Sequence, residues 1–272
     1  MCQLRLCPIC NWRRSLKIFS HVTKIIEAIE SEKEHAYIFL TLTQKNVSGE
    51  ELDSELDKMM YAWNKFLKYA KVKNVVKGSY RGLEIKYDKE PLITKQMYKT
   101  KKEYYQKRDL NVGDKNPNFD MYHPHFHVLI CVNKTYFTSK EYLSHQAWQE
   151  LWAKAMQLDY LPSVNIKRVK GNSAKAVAEV AKYSTKDEDY VIEKDFDLSA
   201  NVVEVLDYAL QRRRLIAFSG NMKEWHKKLN LDDSEDGDLI HIDTDKDEEL
   251  EQSELKLETY AWNIGYMNYT KV

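Results

Sequence analysis

Residues Met121–Asn133 read MYHPHFHVLICVN, three histidines in five positions running without a break into an apolar stretch. Successive side chains on a strand point to opposite faces, so a strand here sets His123, His125 and His127 on one face and Phe126 and Val128 on the other. Imidazoles two residues apart converge on one divalent ion, and a sheet supplies the rigidity that metal geometry needs. The segment is therefore expected to be a strand with one buried face and one face built for a site. A second strand, read from VVKGSYRGLEIKYD (Val75–Asp88), turns Leu83 and Ile85 to one side and Glu84 to the other, which makes Glu84 the expected third ligand. Two histidines and one carboxylate leave coordination positions open for water or substrate, as a catalytic centre requires. Taken alone, HPHFHVLI also admits a metallohydrolase or a mononuclear oxidase.

The remaining periodicities place helices and strands around this pair. Ser15–Ser31 carries Ile18, Val22, Ile25, Ile26 and Ile29 at helical spacing. AYIFLTLT (Ala36–Thr43) is a strand, and the SGEE beyond it opens a helix over about 50–70 with Leu52, Leu56, Met59, Met60, Trp63, Phe66 and Leu67 as its core stripe. From about Lys89 to Asp120 the chain reads as a long, mobile, mostly basic loop with interleaved tyrosines suited to DNA contact. Further on, a helix over Ser139–Gln157, a strand over Ser163–Lys170 and a helix over Ser173–Asp187 are expected. Two more helices, Val202–Arg212 and Met222–Leu229, flank a basic hinge in LQRRRLIAFSG, and the final LKLETYAWNIGYMNY is expected to dock as a strand. Mixed elements with long connections predict an α+β fold: one central antiparallel sheet with helices mainly on one face. The expected divisions are an N-terminal Cys-containing segment with its helix (1–30), a central domain (31–190), a helical extension (191–230) and an acidic tail (231–272).

Charge is distributed unevenly. Of 42 basic and 42 acidic residues, 3 and 13 fall after Asn230, which leaves 39 and 29 before it. A basic body with an acidic tail fits a nucleic-acid binder shielded from indiscriminate sites; a solvated acidic linker is the plainer account. The longest apolar runs fall far short of the ~18–20 residues that cross a bilayer, and no signal-peptide stretch opens the chain, so a cytoplasmic protein without membrane contact is expected. Cys2, Cys7 and Cys10 cluster in MCQLRLCPIC, and CPIC has the spacing of zinc thiolates. They are candidates for a structural Zn²⁺ site that only His21 or Cys131 is placed to complete.

A second constellation lies in EVAKYSTK, where Glu179, Lys182, Tyr183 and Lys186 fall at i, i+3, i+4 and i+7, on one helical face. A tyrosine with a pKa near ~10 is a poor nucleophile at neutral pH unless cations or a metal stabilise its phenolate, which the two lysines offer. By itself the stretch equally describes a surface tyrosine on an amphipathic helix.

In order, CPICNWRRS, FLTLT, HPHFHVLI and EVAKYSTK resemble the single-tyrosine replication initiators of rolling-circle plasmids, members of the HUH endonuclease superfamily with a ferredoxin-like or RRM-like sheet; the likeness covers about residues 1–220. The resemblance implies that His125 and His127 bind a divalent metal, Mn²⁺ or Mg²⁺, with Glu84 and His123 as further candidate ligands. It implies that Tyr183 attacks the scissile phosphate to leave a 5′-phosphotyrosine link and a 3′-hydroxyl primer. It further implies that Glu179 activates water to end the cycle, and that Lys182 and Lys186 orient the tyrosine or neutralise phosphate charge. Plasmid origin DNA, double-stranded and exposed single-stranded, is the implied partner, with a host helicase and DNA polymerase; the oligomeric state is left open. QRRR (Gln211–Arg214) and the loop before the histidines are the expected base-reading segments. Alternatives are a relaxase or transposase of the same superfamily, a non-catalytic origin-binding regulator, and a metal-dependent hydrolase that uses water throughout.

Overall fold

The computed structural model describes residues 5–169, 190, 192, 195–211, 213–233, 260–263 and 268–271. The histidine segment is its central strand, β3 (Met121–Asn133), flanked by β1 (His35–Thr43) and β2 (Gly78–Asp88). Two short strands, β4 (Val164–Arg168) and β5 (Ile216–Ser219), add to the outer edges, giving the order β4-β1-β3-β2-β5 with every pair antiparallel. The expected α+β architecture on one antiparallel sheet is the one observed.

One face of the sheet is apolar. Leu40, Leu42, Leu83, Ile85, Phe126, Val128 and Ile130 bury there completely or nearly so. Against them pack α2 (Gly49–Phe66) and α6 (His145–Met156). The contact is aromatic: Trp63 and Trp152 meet Phe126 edge-on at centroid distances of 6.2 and 6.1 Å, and Phe66 lies 5.8 Å from both Trp148 and Trp152. Edge-to-face geometry aligns ring quadrupoles as well as burying area. Trp152 satisfies its indole N–H on the Thr43 carbonyl at 2.9 Å, which ties α6 to the end of β1. The start of α2 is a capping box: Ser48 accepts from the Glu51 backbone N–H, and the Glu51 carboxylate accepts from that of Ser48. A short helix, α3 (Ala70–Val75), then leads into β2, so the expected single helix over 50–70 is broken after Phe66.

The histidine face is covered at one end. α1 (Pro8–Glu32) starts seven residues before the apolar periodicity does, because Pro8 supplies the fixed φ of a first helical turn and the stripe Asn11, Arg14, Lys17, His21 continues the buried side with polar residues. Glu30 near its end accepts from the Tyr37 hydroxyl at 2.8 Å. Following β5, α8 (Gly220–Lys228) stacks His226 on Phe218 at 4.9 Å, and Asn221 donates to Cys131 Sγ at 3.4 Å. These two helices occupy the half of the face that carries Tyr37, Tyr80 and Cys131. The three histidines lie on the other half.

Two expectations are corrected. The segment between β2 and β3 is an ordered excursion rather than a mobile loop, with α4 (Lys95–Thr100) and α5 (Lys102–Gln106). Ile93 and Tyr105 are buried, Tyr98 stacks on Tyr105, and the Asn116 amide donates to both Asp88 Oδ1 and the Glu90 carbonyl at 2.8 Å. Its anchors are single residues at irregular spacing, which a periodicity reading passes over. LQRRRLIAFSG is likewise no hinge, since Ile216–Ser219 pairs with β2. Arg213 is folded inward onto Asp53 and Asp57 of α2 and onto the Ala209 carbonyl at the end of α7 (Phe196–Leu210). Arg212 lies outside the described residues.

Residues 1–237 make one compact unit and 238–272 a second. The described part of the second is a two-stranded antiparallel hairpin, β6 (Tyr260–Asn263) and β7 (Asn268–Lys271), where a single docking strand was expected. No described helix is long and apolar enough to cross a membrane.

Candidate metal centre

Register alone brings the candidate ligands together. In the β2–β3 pairing Glu84 stands opposite His125 and Gly82 opposite His127, while β1 sets Thr41 opposite His127. All these side chains share the face that His123 begins. Glu84, His125 and His127 offer ligand atoms that lie within 4.8 Å of one another, the one such group among the described residues. Glu84 Oε2 is 2.7 Å from Nε2 of His127 and 3.6 Å from Nε2 of His125, and the two Nε2 atoms are 3.2 Å apart. The carboxylate is 2 % exposed and His125 5 %, so the cluster sits below the surface with its polar atoms turned toward one point.

The donor set fits a divalent cation. His125 Nδ1 lies 3.1 Å from the His123 carbonyl, which only accepts, so Nδ1 carries the proton and the Nε2 lone pair faces inward. The Thr41 hydroxyl lies 3.4 Å from Nδ1 of His127, a contact in which either atom can be the donor. Such outer partners fix the tautomer of metal-binding histidines. The buried Oε2 of Glu84 has no hydrogen bond of acceptable geometry despite its close histidine neighbour. A buried oxygen without a hydrogen bond, facing two imidazole nitrogens, is costly unless a cation sits between them. Burial alone would raise the Glu84 pKa, but the close approach of His125 and His127 outweighs it and holds the carboxyl well below its ordinary range.

His123 lies beside this group, not in it. Its ring centroid is 5.4 Å from that of His125, and its Nδ1 is buried without a partner. Burial, then the charges of His125, Lys101 and Lys86, pull its pKa down to about 4. Lys86, two residues beyond Glu84 on the same face, holds its ammonium 3.9 Å from Glu84 Oε1.

Of the other sequence candidates, Cys7 precedes the first turn of α1 and Cys10 is buried in it, and neither gathers a metal-ligand group among the described residues. His21 instead faces Asp232 at 3.4 Å, and Cys131 faces Asn221. Cys2, Glu179, Lys182, Tyr183 and Lys186 lie outside the described residues. Sequence reasoning gave Thr41 no chemistry, and it did not notice Lys86 or Phe39, whose ring stacks on His127 at 5.4 Å. The signal for all three is cross-strand register, which is invisible until the pairing is known.

Comparison with known proteins bears on the chain as a whole. The profile of the replication protein family matches residues 1–270. A "Protein rep" of Bacillus amyloliquefaciens is 40% identical over 98% of this chain and 75% of its own length, and one from a Bacillus species is 41% identical over 98% and 82%. A "Replication protein" of Staphylococcus aureus is 34% identical over 90% of this chain and 94% of its own length. No solved structure matches the chain significantly. With sequence similarity carried through almost every residue, and the ligand strands inside it, the chain belongs to the replication protein family.

Proposed function

We propose that this protein initiates rolling-circle replication of a plasmid by nicking one strand of its origin. The observation that carries the reading is the convergence of Glu84, His125 and His127 on one sheet face, in a chain of the replication protein family. A divalent ion held there, Mn²⁺ or Mg²⁺, supplies Lewis acidity that draws charge off the non-bridging oxygens of the scissile phosphate. The His123 carbonyl keeps the His125 imidazole in the metal-binding tautomer, and the Thr41 hydroxyl contacts the corresponding nitrogen of His127.

Tyr183 is the nucleophile in this reading. Its phenol loses a proton, its oxygen bonds to phosphorus, and the bond from phosphorus to the 3′-oxygen breaks. The products are a 5′-phosphotyrosine link and, after protonation, a 3′-hydroxyl that a host polymerase extends while a helicase opens the duplex. Lys182, immediately before Tyr183, and Lys186, three residues after it, lower the cost of the phenolate. Glu179, four residues before Tyr183, accepts a proton from the water that ends the cycle by hydrolysis.

The test is conversion of supercoiled plasmid carrying the cognate origin to open circles in the presence of Mn²⁺. Wild type is expected to nick, while Tyr183→Phe and Glu84→Gln are expected to be at least a hundredfold slower. Nicking by Tyr183→Phe at the wild-type rate overturns the tyrosine mechanism in favour of water attack. A wild type that binds origin DNA without nicking leaves a regulator.

A further inference from the structure

Beyond the triad the same face continues with positive charge. Lys86 is opposite His123 in the β2–β3 register, half-exposed at 54% of its side-chain surface, and has Glu84 as its charged partner at a separation longer than a hydrogen bond. Lys101, exposed at the junction of α4 and α5 on the excursion between β2 and β3, adds a second positive charge whose field reaches both His123 and Asp88. Opposite Lys86 in the register lies His123, with its orphaned buried Nδ1.

The position of Lys86 is informative. Glu84 turns Oε2 toward the two histidines and Oε1 toward the ammonium. A cation placed among Oε2 and the imidazoles neutralises that carboxylate and repels Lys86, whose three N–H donors are then free for another anion. The Lys86 ammonium sits at the rim of the triad, 3.9 Å from Glu84 Oε1 and half-exposed, within reach of the backbone linkage next to a phosphate held at the triad.

Resting on the nicking reading above, we propose that Lys86 and Lys101 form a phosphate-positioning subsite that grips the backbone linkage next to the scissile one. They are positioning residues: they hold the strand in register over the triad and touch no reacting atom. The partner chemistry is the phosphodiester backbone of single-stranded DNA, so the grip is independent of sequence. The excursion that carries Lys101 thereby acts as a wall beside the site, built rigidly by its buried Ile93, Tyr105 and Asn116.

The experiment measures binding of a mixed-sequence single-stranded DNA oligonucleotide to the full chain across a salt series, with Mn²⁺ affinity measured separately by calorimetry. Lys86→Met and Lys101→Met are each expected to flatten the slope of log K against log salt by about 0.7, with the double variant near twice that. Lys86→Arg is expected to keep the wild-type slope, and Lys134→Met, which removes a remote exposed lysine paired with Glu34, is expected to leave it unchanged. Mn²⁺ affinity should be equal or higher in Lys86→Met, since a competing positive charge has gone from beside Glu84. Unchanged slopes in both lysine variants overturn the subsite. So does weaker Mn²⁺ binding in Lys86→Met at constant slope, which makes Lys86 only a support for Glu84. Because neither readout requires strand cleavage, loss of the nicking reading shows up separately, as absence of open circles with the wild type.

Discussion

At the scale of residues, two buried clusters on the histidine face do opposite things with similar groups. Around Glu84 the acid is surrounded by imidazoles that keep it ionised and directed at a cation. Glu84→Gln keeps the shape and removes the charge, so Mn²⁺ affinity by isothermal titration is expected to fall about tenfold or more; equal affinity would place the metal elsewhere. Around His21 the balance favours a neutral ring: burial is the largest influence and pulls its pKa down to about 4, opposed by Asp232 and assisted by His226, Lys17 and Lys24. The folded ring thus binds a proton less readily than the unfolded chain at 6.5. Its contribution to stability is present in full above about pH 6.5 and is lost as pH falls toward 4, with an upper bound on the order of 3 kcal/mol. Denaturant melts at pH 7 and pH 5 should show a larger loss for wild type than for His21→Phe, and identical losses would contradict the assignment. The triad's residue types and strand alternation were legible from HPHFHVLI and GLEI, since a period of two needs no tertiary information. Thr41 was not, because a hydroxyl in FLTLT acquires its role only through pairing with His127.

At the scale of elements, strands with unbroken patterns were read close to their true bounds, whereas α6 starts six residues later and α7 six residues earlier than expected. The errors fall where polar residues or single anchors replace a pattern. α1 runs on through buried Arg14 and Lys17, Arg213 is folded onto α2, and the β2–β3 excursion hangs on Ile93, Tyr105 and Asn116. β5 was hidden for a related reason: four residues behind an arginine run carry little period, and what fixes them is the turn after them. There Gly220 has φ of +53°, and an added Cβ would lie 2.1 Å from the Lys77 carbonyl oxygen. Gly220→Ala combines left-handed backbone with a clash, and is expected to cost about 2–3 kcal/mol in chemical denaturation; an unchanged midpoint would mean β5 is not held at this turn. Arg213→Ala is expected to lower the melting temperature by removing its bonds to Asp53, Asp57 and Ala209, while leaving the salt slope of DNA binding as it was. A flattened slope would return Arg213 to the DNA interface.

At the scale of the molecule, the sheet separates stability from chemistry. Its apolar face holds the aromatic core under α2 and α6, one half of the other face is closed by α1 and α8, and the remaining half presents the metal ligands. This division explains how a rigid central strand can carry three histidines: Phe126, Val128 and Ile130 anchor it from behind while His123, His125 and His127 face the site. The α+β class followed from the mixture of patterns, whereas the pairing order, which places Glu84 beside the histidines across 41 residues of chain, depends on long-range contacts that no local pattern encodes. The most direct test of the account is mass spectrometry of wild-type protein digested after reaction with single-stranded origin DNA and Mn²⁺. The account predicts a phosphodeoxynucleotide on the peptide that carries Tyr183, absent when Glu84 is changed to Gln or when the metal is chelated. Cleaved DNA with no modified peptide, or the same adduct without metal, would contradict it.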